Sequence, residues 1–361
     1  MRDMSRRKAL GLMAAGALAV GGRARAGADS PAFQTRGVVL YPFDLSLEDW
    51  PDRAAAAGLT TIGLHAGRRL DVLSEFVRSA QGERLLSRCA ALGLGVEYEV
   101  HAFGDLLSRE WFASPDMDMF RMDAAGARTP DFNCCPSSPR ALEIIAGKAV
   151  AFGRVLRPTT GRYYYWPDDG REWCHCPKCA GLSATDQAVT VENAIAAALR
   201  RELDPGATLS HISYNMTLPP PKTVRPHEGL FLEFAPIARA YDRPIDDPDA
   251  PLSAAPPEPA SHAGYLEILD ANLEVFPRAT AQVLEYWLDV SRFSGWKRPS
   301  VKIPWNPEVM RADAAAYAKR GIRHVTTFAT WIDADYVTRF GDPPLAEYAA
   351  ALGGPPHAAT K

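Results

Sequence analysis

The chain has 361 residues, of which 47% are hydrophobic and 23% are charged, and its formal net charge is −3. Charges of both signs are spread along the sequence without a basic stripe, so we expect no nucleic-acid partner. Thirty prolines cluster in a few segments, which is typical of long loops.

The N-terminus has the pattern of an export signal. Arg6 and Arg7 precede an apolar run over residues 9–22, and Ala24-Arg25-Ala26 follows as a cleavage site. This pattern predicts a twin-arginine signal peptide over residues 1–26, and hence a periplasmic or secreted protein. An uncleaved anchor is the alternative, but the run is short for a bilayer, and no later segment is long enough. We therefore expect no membrane span after cleavage.

Short β-rich runs then alternate with helical patterns, which favours a parallel sheet closed as a single (β/α)8 TIM barrel over residues 31–352, followed by a disordered tail over 353–361. An open doubly wound sheet is the alternative, but no G-x-G-x-x-G follows the first strand. The predicted helices cover residues 51–57, 139–156, 189–203, 265–276 and 307–319. The predicted strands are Val38–Phe43, Thr60–His65, Val96–Phe103, Tyr163–Trp166, Leu209–Tyr214, Leu230–Phe234, Gln282–Leu288 and Val325–Trp331.

Long loops are predicted after strands three to six, over residues 104–138, 168–188, 215–229 and 235–262. In a barrel these strand-to-helix loops all emerge at the C-terminal face, where barrel enzymes keep their active sites. We therefore expect the functional site at that face.

Two adjacent carboxylates, Asp168 and Asp169, follow the fourth predicted strand directly. Two such groups close together at low dielectric cannot both ionise freely, which would leave a proton donor beside an anion. Glycosidic bond cleavage needs that division of labour. A structural Asp-Asp-Gly turn is the alternative, and the position at the end of a barrel strand favours catalysis.

Three cysteines follow within six residues, as Cys174-x-Cys176-x-x-Cys179. This spacing suits thiolate ligands around one structural zinc ion, with Cys134 or Cys135 as the fourth ligand. His175 could replace one thiolate, and one or two disulfides formed after export are the alternative.

Aromatic and polar residues gather at the predicted strand ends and suit a sugar pocket. Because strand positions alternate between the barrel interior and the helix layer, we expect about half of the aromatic ones to reach the pocket. The candidate substrate-binding residues are Tyr41, His65, His101, Trp166, Tyr214, Asn215, Tyr286, Trp305 and Trp331.

Three segments together resemble a known bacterial family. These are Cys135-Pro-Ser-Ser-Pro, Tyr165-Trp-Pro-Asp-Asp-Gly and Trp173-Cys-His-Cys-Pro-Lys-Cys179, and they resemble the family called domain of unknown function 4838. That family is similar to glycoside hydrolases with hexosaminidase-like and α-glucuronidase-like barrels. The resemblance implies a glycoside-hydrolase-like enzyme that acts on an oligo- or polysaccharide without a catalytic cofactor.

Two mechanisms are compatible with that resemblance. In the hexosaminidase-like one, Asp168 orients a substrate acetamide, Asp169 is the general acid, and Tyr214 or Tyr286 hydrogen-bonds the acetamide oxygen. In the other, Asp169 is the acid and Glu285, on the seventh strand, is the nucleophile. A carboxyl separation of about 5–5.5 Å suits retention of configuration, and about 6.5–9.5 Å suits inversion. A non-catalytic carbohydrate-binding barrel and a polysaccharide lyase are the alternative functions.

Overall fold

The computed structural model describes residues 33–113, 115, 117–252 and 256–354. The predicted signal peptide and residues 355–361 of the predicted tail lie outside the described residues. Among the residues described, no helix is long and apolar enough to cross a membrane.

Eight parallel strands pair in chain order, and the last pairs with the first, so the sheet is a closed barrel. The predicted (β/α)8 barrel is thus confirmed. The strands are β1 Thr35–Leu40, β2 Thr61–His65, β3 Gly95–His101, β4 Arg162–Trp166, β5 Thr208–Ser213, β6 Leu230–Phe234, β7 Gln282–Glu285 and β8 His324–Phe328.

Helices surround the barrel, and short 3-10 turns lie in its loops. The α-helices are α1 Trp50–Ala57, α2 Leu70–Val77, α3 Ala80–Leu92, α4 Phe103–Leu106, α5 Pro139–Val155, α6 Ala184–Glu202, α7 His262–Asn272, α8 Val290–Phe293, α9 Pro307–Lys319, α10 Ala334–Phe340 and α11 Leu345–Ala351. The 3-10 turns are Pro42–Ser46, Arg109–Ala113, Met117–Met119 and Asn215–Thr217.

Local sequence signals explain where several helices begin. Helices α5 and α9 begin at Pro139 and Pro307, as predicted, because proline at the first helical position lacks only an N–H that would be unpaired there. Helix α6 begins five residues before the predicted position. Ser183 caps it by accepting a hydrogen bond from the N–H of Asp186, whose carboxylate bonds back to Ser183.

Strands β1, β7 and β8 end three residues earlier than predicted, and β3 ends two residues earlier. The apolar runs continue past the last ladder pair, and Pro42 cannot donate to a ladder. The extra residues therefore do not extend the strands but form the rim of the barrel.

Strand alternation separates two hydrophobic layers. On β4, Tyr163 and Tyr165 pack in the layer between barrel and helices, whereas Tyr164 and Trp166 lie inside the barrel. Gly63 on β2 also faces the interior, because a Cβ there would lie 2.4 Å from the carboxylate of Glu99. The interior is thus packed below the rim, and the open space lies at the C-terminal mouth.

Candidate active site

A pocket with a cavity volume of about 140 Å³ opens at the C-terminal mouth of the barrel. Its walls come from the ends of most strands and from the loops that follow them. The lining residues are Tyr41, His65, His101, Trp166, Asp169, Ile212, Tyr214, Ile237, Leu284, Tyr286, Asp289, Ser291, Trp296, Phe328 and Thr330.

Six of the nine predicted substrate-binding residues line this pocket: Tyr41, His65, His101, Trp166, Tyr214 and Tyr286. The other three do not. Asn215 lies in a neighbouring crevice with Asp168. Trp305 lines a separate groove and donates to Glu347. Trp331 packs under the guanidinium of Arg298, 4.4 Å from its ring centroid.

His65 and His101, at the ends of β2 and β3, present uncharged rings to the pocket. Nδ1 of His65 lies 2.6 Å from the carbonyl oxygen of Glu99, and Nδ1 of His101 lies 2.7 Å from that of Pro167. A carbonyl oxygen only accepts, so each Nδ1 carries the proton and each Nε2 is left as an acceptor. Burial lowers the pKa of His65 to about 3 and also lowers that of His101.

Asp169 lies exposed at the pocket wall, three residues after Trp166, where strand β4 ends. The hydroxyl of Tyr214 donates a 2.9 Å hydrogen bond to its Oδ1. Arg68 donates to its backbone carbonyl at 3.1 Å. Burial raises the pKa of Tyr214, and that of Tyr41 on the opposite wall to about 12, so both hydroxyls remain protonated.

Asp168 has a different environment, because its side chain turns into the loop after β3 and is buried. Its carboxylate accepts from the N–H of Asn133 at 2.6 Å and of Gly104 at 3.1 Å, and lies 3.4 Å from the guanidinium of Arg109. Asn133 in turn accepts from the N–H of Asp168. Both aspartates of the predicted tandem pair line the neighbouring crevice, but only Asp169 lines the pocket at the barrel mouth.

Glu285 is also outside the pocket. The pleat of β7 directs its neighbours Leu284 and Tyr286 to the pocket and Glu285 to the helix layer. There its carboxylate pairs with the buried guanidinium of Arg239 at 3.2 Å and accepts from the hydroxyls of Tyr241 and Tyr317. The expectation that Glu285 shares the pocket with Asp169 is wrong. Successive residues of β7 face opposite sides of the strand, and Glu285 is on the side of the helix layer.

Asp289, which sequence reasoning missed, supplies the second carboxylate of the pocket. It lies four residues past β7, and Oδ1 accepts hydrogen bonds from Ser291, Thr330 and the N–H of Arg292. Burial raises the pKa of Asp289, although these hydrogen bonds oppose the shift. The available signal was an aspartate after a predicted strand, the same signal that pointed to Asp168 and Asp169.

Aromatic rings form the floor and rim of the pocket. Trp166 is buried at the floor, where its Nε1 donates to Glu233 at 2.7 Å. Tyr286 stacks on Phe328 with centroids 5.4 Å apart. At the rim, Trp296 is 64% exposed. Such flat apolar surfaces beside hydrogen-bonding groups can bind the C–H faces and hydroxyls of a sugar ring.

A cluster of four buried cysteines, Cys135, Cys174, Cys176 and Cys179, lies beyond the pocket. It joins the loop after β3 to the loop after β4. Cys134 is outside the cluster and packs in the main hydrophobic core, and His175 is exposed. Of the two alternatives for a fourth cysteine, the structure brings Cys135 to the other three.

Strand order and pocket together define a (β/α)8 barrel with a candidate site at its C-terminal mouth. The family model described as "Domain of unknown function (DUF4838)" matches residues 28–255. That is more than half of the chain, and the protein belongs to this family. The match ends before β7, so Asp289 lies outside it. A search among curated proteins found no match.

Solved structures share the fold at low sequence identity. A β-N-acetylhexosaminidase from Bacteroides fragilis NCTC 9343 superposes with a TM-score of 0.54 and 12% identity, over 89% of this chain and 66% of that one. A catalytic mutant of Gan42B, a GH42 β-galactosidase from G. stearothermophilus, gives 0.51 and 13%, over 89% and 56%. The chain thus spans less than two thirds of either protein, and the likeness establishes the barrel fold.

Proposed function

We propose that the protein is an exported glycoside hydrolase that cleaves a carbohydrate in the pocket at the barrel mouth. The observation that carries the proposal is that Asp169 and Asp289, from the loops after β4 and β7, line one aromatic pocket. Two carboxyl groups flanking the scissile bond are the usual machinery of glycosidases. The signal pattern in residues 1–26 supports export.

The environments of the two carboxyl groups suggest different roles. Burial raises the pKa of Asp289, so it suits the general acid that protonates the leaving oxygen. Three donors occupy its Oδ1, which leaves Oδ2 to carry the proton. Asp169, held by the Tyr214 hydroxyl, then acts as nucleophile or as the base that activates water. The reverse assignment, with Asp169 as the acid, is the sequence-based prediction.

The charges of the pocket favour a neutral sugar. Its lining includes the carboxyl groups of Asp169 and Asp289, and no lysine or arginine is among the described lining residues. The carboxylate of Asp169 would repel a uronate carboxylate there, which also disfavours a lyase acting on uronates. The uncharged imidazoles of His65 and His101 can instead accept hydrogen bonds from sugar hydroxyls.

The test begins with a screen of neutral and uronate glycosides on the purified mature protein. On the substrate found, Asp169→Asn and Asp289→Asn should each lower kcat by about 10²- to 10⁴-fold, since each removes one member of the acid–base pair. Asp335→Asn, which changes an exposed carboxylate away from the pocket, is the matched control and should keep wild-type kcat.

Leaving-group dependence then separates the two roles. A dinitrophenyl glycoside needs no protonation of its leaving group, so Asp289→Asn should retain most activity on it while losing activity on an alkyl glycoside. Asp169→Asn should lose activity on both. The opposite pattern would reverse the roles, and sugar binding without turnover in the wild type would show a non-catalytic carbohydrate-binding barrel instead.

A further inference from the structure

The cysteine cluster beyond the pocket has the geometry of a metal site. The Sγ atoms of Cys135, Cys174, Cys176 and Cys179 all lie within 4.8 Å of one another, and all four residues are buried. Four sulfurs at about 2.3 Å from one zinc ion lie about 3.8 Å apart along the edges of a tetrahedron. The Sγ of Cys135 lies 3.7 Å from that of Cys176 and 3.9 Å from that of Cys179.

These distances favour one shared ion over disulfides. A disulfide needs two sulfurs about 2.05 Å apart, which pairs each cysteine with one partner. Cys135 is instead almost equally distant from Cys176 and Cys179. Nearly equal sulfur–sulfur distances are expected when all the sulfurs bind one metal ion.

The surroundings of the sulfurs suit a negatively charged centre. A zinc ion with four thiolates carries a net charge of −2, and donors around the sulfurs stabilise such a centre. The N–H of Met122 lies 3.3 Å from the Sγ of Cys174, and the guanidinium of Arg128 lies 3.7 Å from the same atom. The hydroxyl of Ser137 lies 3.0 Å from the Sγ of Cys179.

We propose that Cys135, Cys174, Cys176 and Cys179 bind one structural zinc ion as thiolates. All four positions are filled by protein, so the site is closed and structural rather than catalytic. The ion joins the loop after β3 to the loop after β4. Two residues before Cys135, the N–H of Asn133 bonds to Asp168, next to Asp169. The site therefore braces the segment that carries Asp169 into the pocket.

The first test is elemental analysis of the full-length protein, purified without chelator or reductant. One zinc per chain is expected. Replacement of zinc by Co²⁺ should produce the intense visible bands of a tetrahedral tetrathiolate site. A metal-free protein in which mass spectrometry finds these cysteines in disulfides would overturn the proposal, as would another metal at one per chain.

Adjacent cysteines provide a matched pair of variants. Cys135→Ala removes a ligand and should lose zinc on dialysis against a chelator, whereas Cys134→Ala, also buried but outside the cluster, should keep one zinc per chain. The opposite result would overturn the ligand assignment. If Cys135→Ala does not fold, removal of the metal from the wild-type protein with a chelator tests the proposal instead. Metal loss should then increase proteolysis at least tenfold within residues 104–138 and 168–183, and unchanged proteolysis would overturn the bracing role.

Discussion

Adjacent aspartates at the end of β4 occupy opposite environments. Asp168 is buried and accepts hydrogen bonds from backbone N–H groups of another loop, whereas Asp169 is exposed at the pocket wall. The backbone turns at Asp169 and Gly170, directly after Asp168. One residue therefore holds the loop in place and its neighbour is free to meet a substrate.

We predict that Asp168→Asn lowers the free energy of unfolding by about 1–3 kcal/mol. The amide would place an N–H₂ group against donors that now bond to a carboxylate. Urea denaturation measures the loss. Asp169→Asn, at an exposed position, is the control and should change stability little. If Asp168→Asn kept normal stability but abolished turnover, Asp168 would itself take part in the chemistry, as the hexosaminidase-like mechanism has it.

At the scale of elements, buried carboxylates hold the long loops of the C-terminal face by accepting their backbone N–H groups. Asp168 binds the loop after β3, Asp186 on α6 binds the loop after β5, and Asp313 on α9 binds the loop after β6. A charged acceptor satisfies donors that would otherwise be buried without a partner. Loops with little regular structure can therefore present a defined pocket wall.

Asp186 provides the clearest test, because its Oδ1 accepts from the N–H groups of residues 222, 223 and 224. Burial opposes its ionisation, but the backbone N–H groups of Val224 and Thr223 hold the pKa of Asp186 at about 2. We expect Asp186→Ala to lower the free energy of unfolding by about 3 kcal/mol, since several donors lose one charged acceptor.

Thermal or urea unfolding measures this loss, and Asp204→Ala is the variant with which Asp186→Ala is compared. Asp204 accepts one backbone N–H, that of Gly206, in an exposed turn, so its loss should cost less than about 1 kcal/mol. Equal losses in the two variants would show that the loop after β5 does not depend on Asp186.

At the scale of the whole molecule, the barrel interior contains more carboxyl groups than cations. Glu97, Glu99 and Glu233 are fully buried, and Arg162 lies 3.9 Å from Glu97. Burial raises the pKa of Glu233 from 4.5 to about 8, and burial together with the charge of Glu233 raises that of Glu99. The folded barrel therefore retains protons that the unfolded chain releases.

This difference in bound protons between the folded and unfolded states determines how the free energy of unfolding changes with pH. Between about pH 4.5 and pH 8 Glu233 holds a proton in the folded state that it releases in the unfolded chain, so we expect Glu233 to make the free energy of unfolding fall as pH rises through that range. In Glu233→Gln the side chain is neutral at every pH, so the free energy of unfolding should change less steeply with pH. Urea denaturation across pH measures it, with the exposed Glu228→Gln as control. An unchanged slope in Glu233→Gln would mean that Glu233 is already ionised.

Much of the fold was predictable because it depends on local patterns. Strand and helix periods, and prolines at helix starts such as Pro139 and Pro307, are set by neighbouring residues. The position of Asp169 after a strand that ends in Trp166-Pro167 has the same local origin. The strand ends were less predictable, because the apolar runs of β1, β7 and β8 continue into the pocket rim.

By itself the sequence determined the barrel, the face that holds the site, and the group of cysteines able to bind a metal. Only the tertiary structure decided which carboxyl groups share the pocket and which cysteine completes the cluster. Glu285 and Asp289 are four residues apart, yet one pairs with Arg239 and the other lines the pocket. Cys134 and Cys135 are adjacent, yet only Cys135 joins the cluster. Such choices depend on the direction of single side chains relative to elements distant in sequence, which local periodicity does not encode.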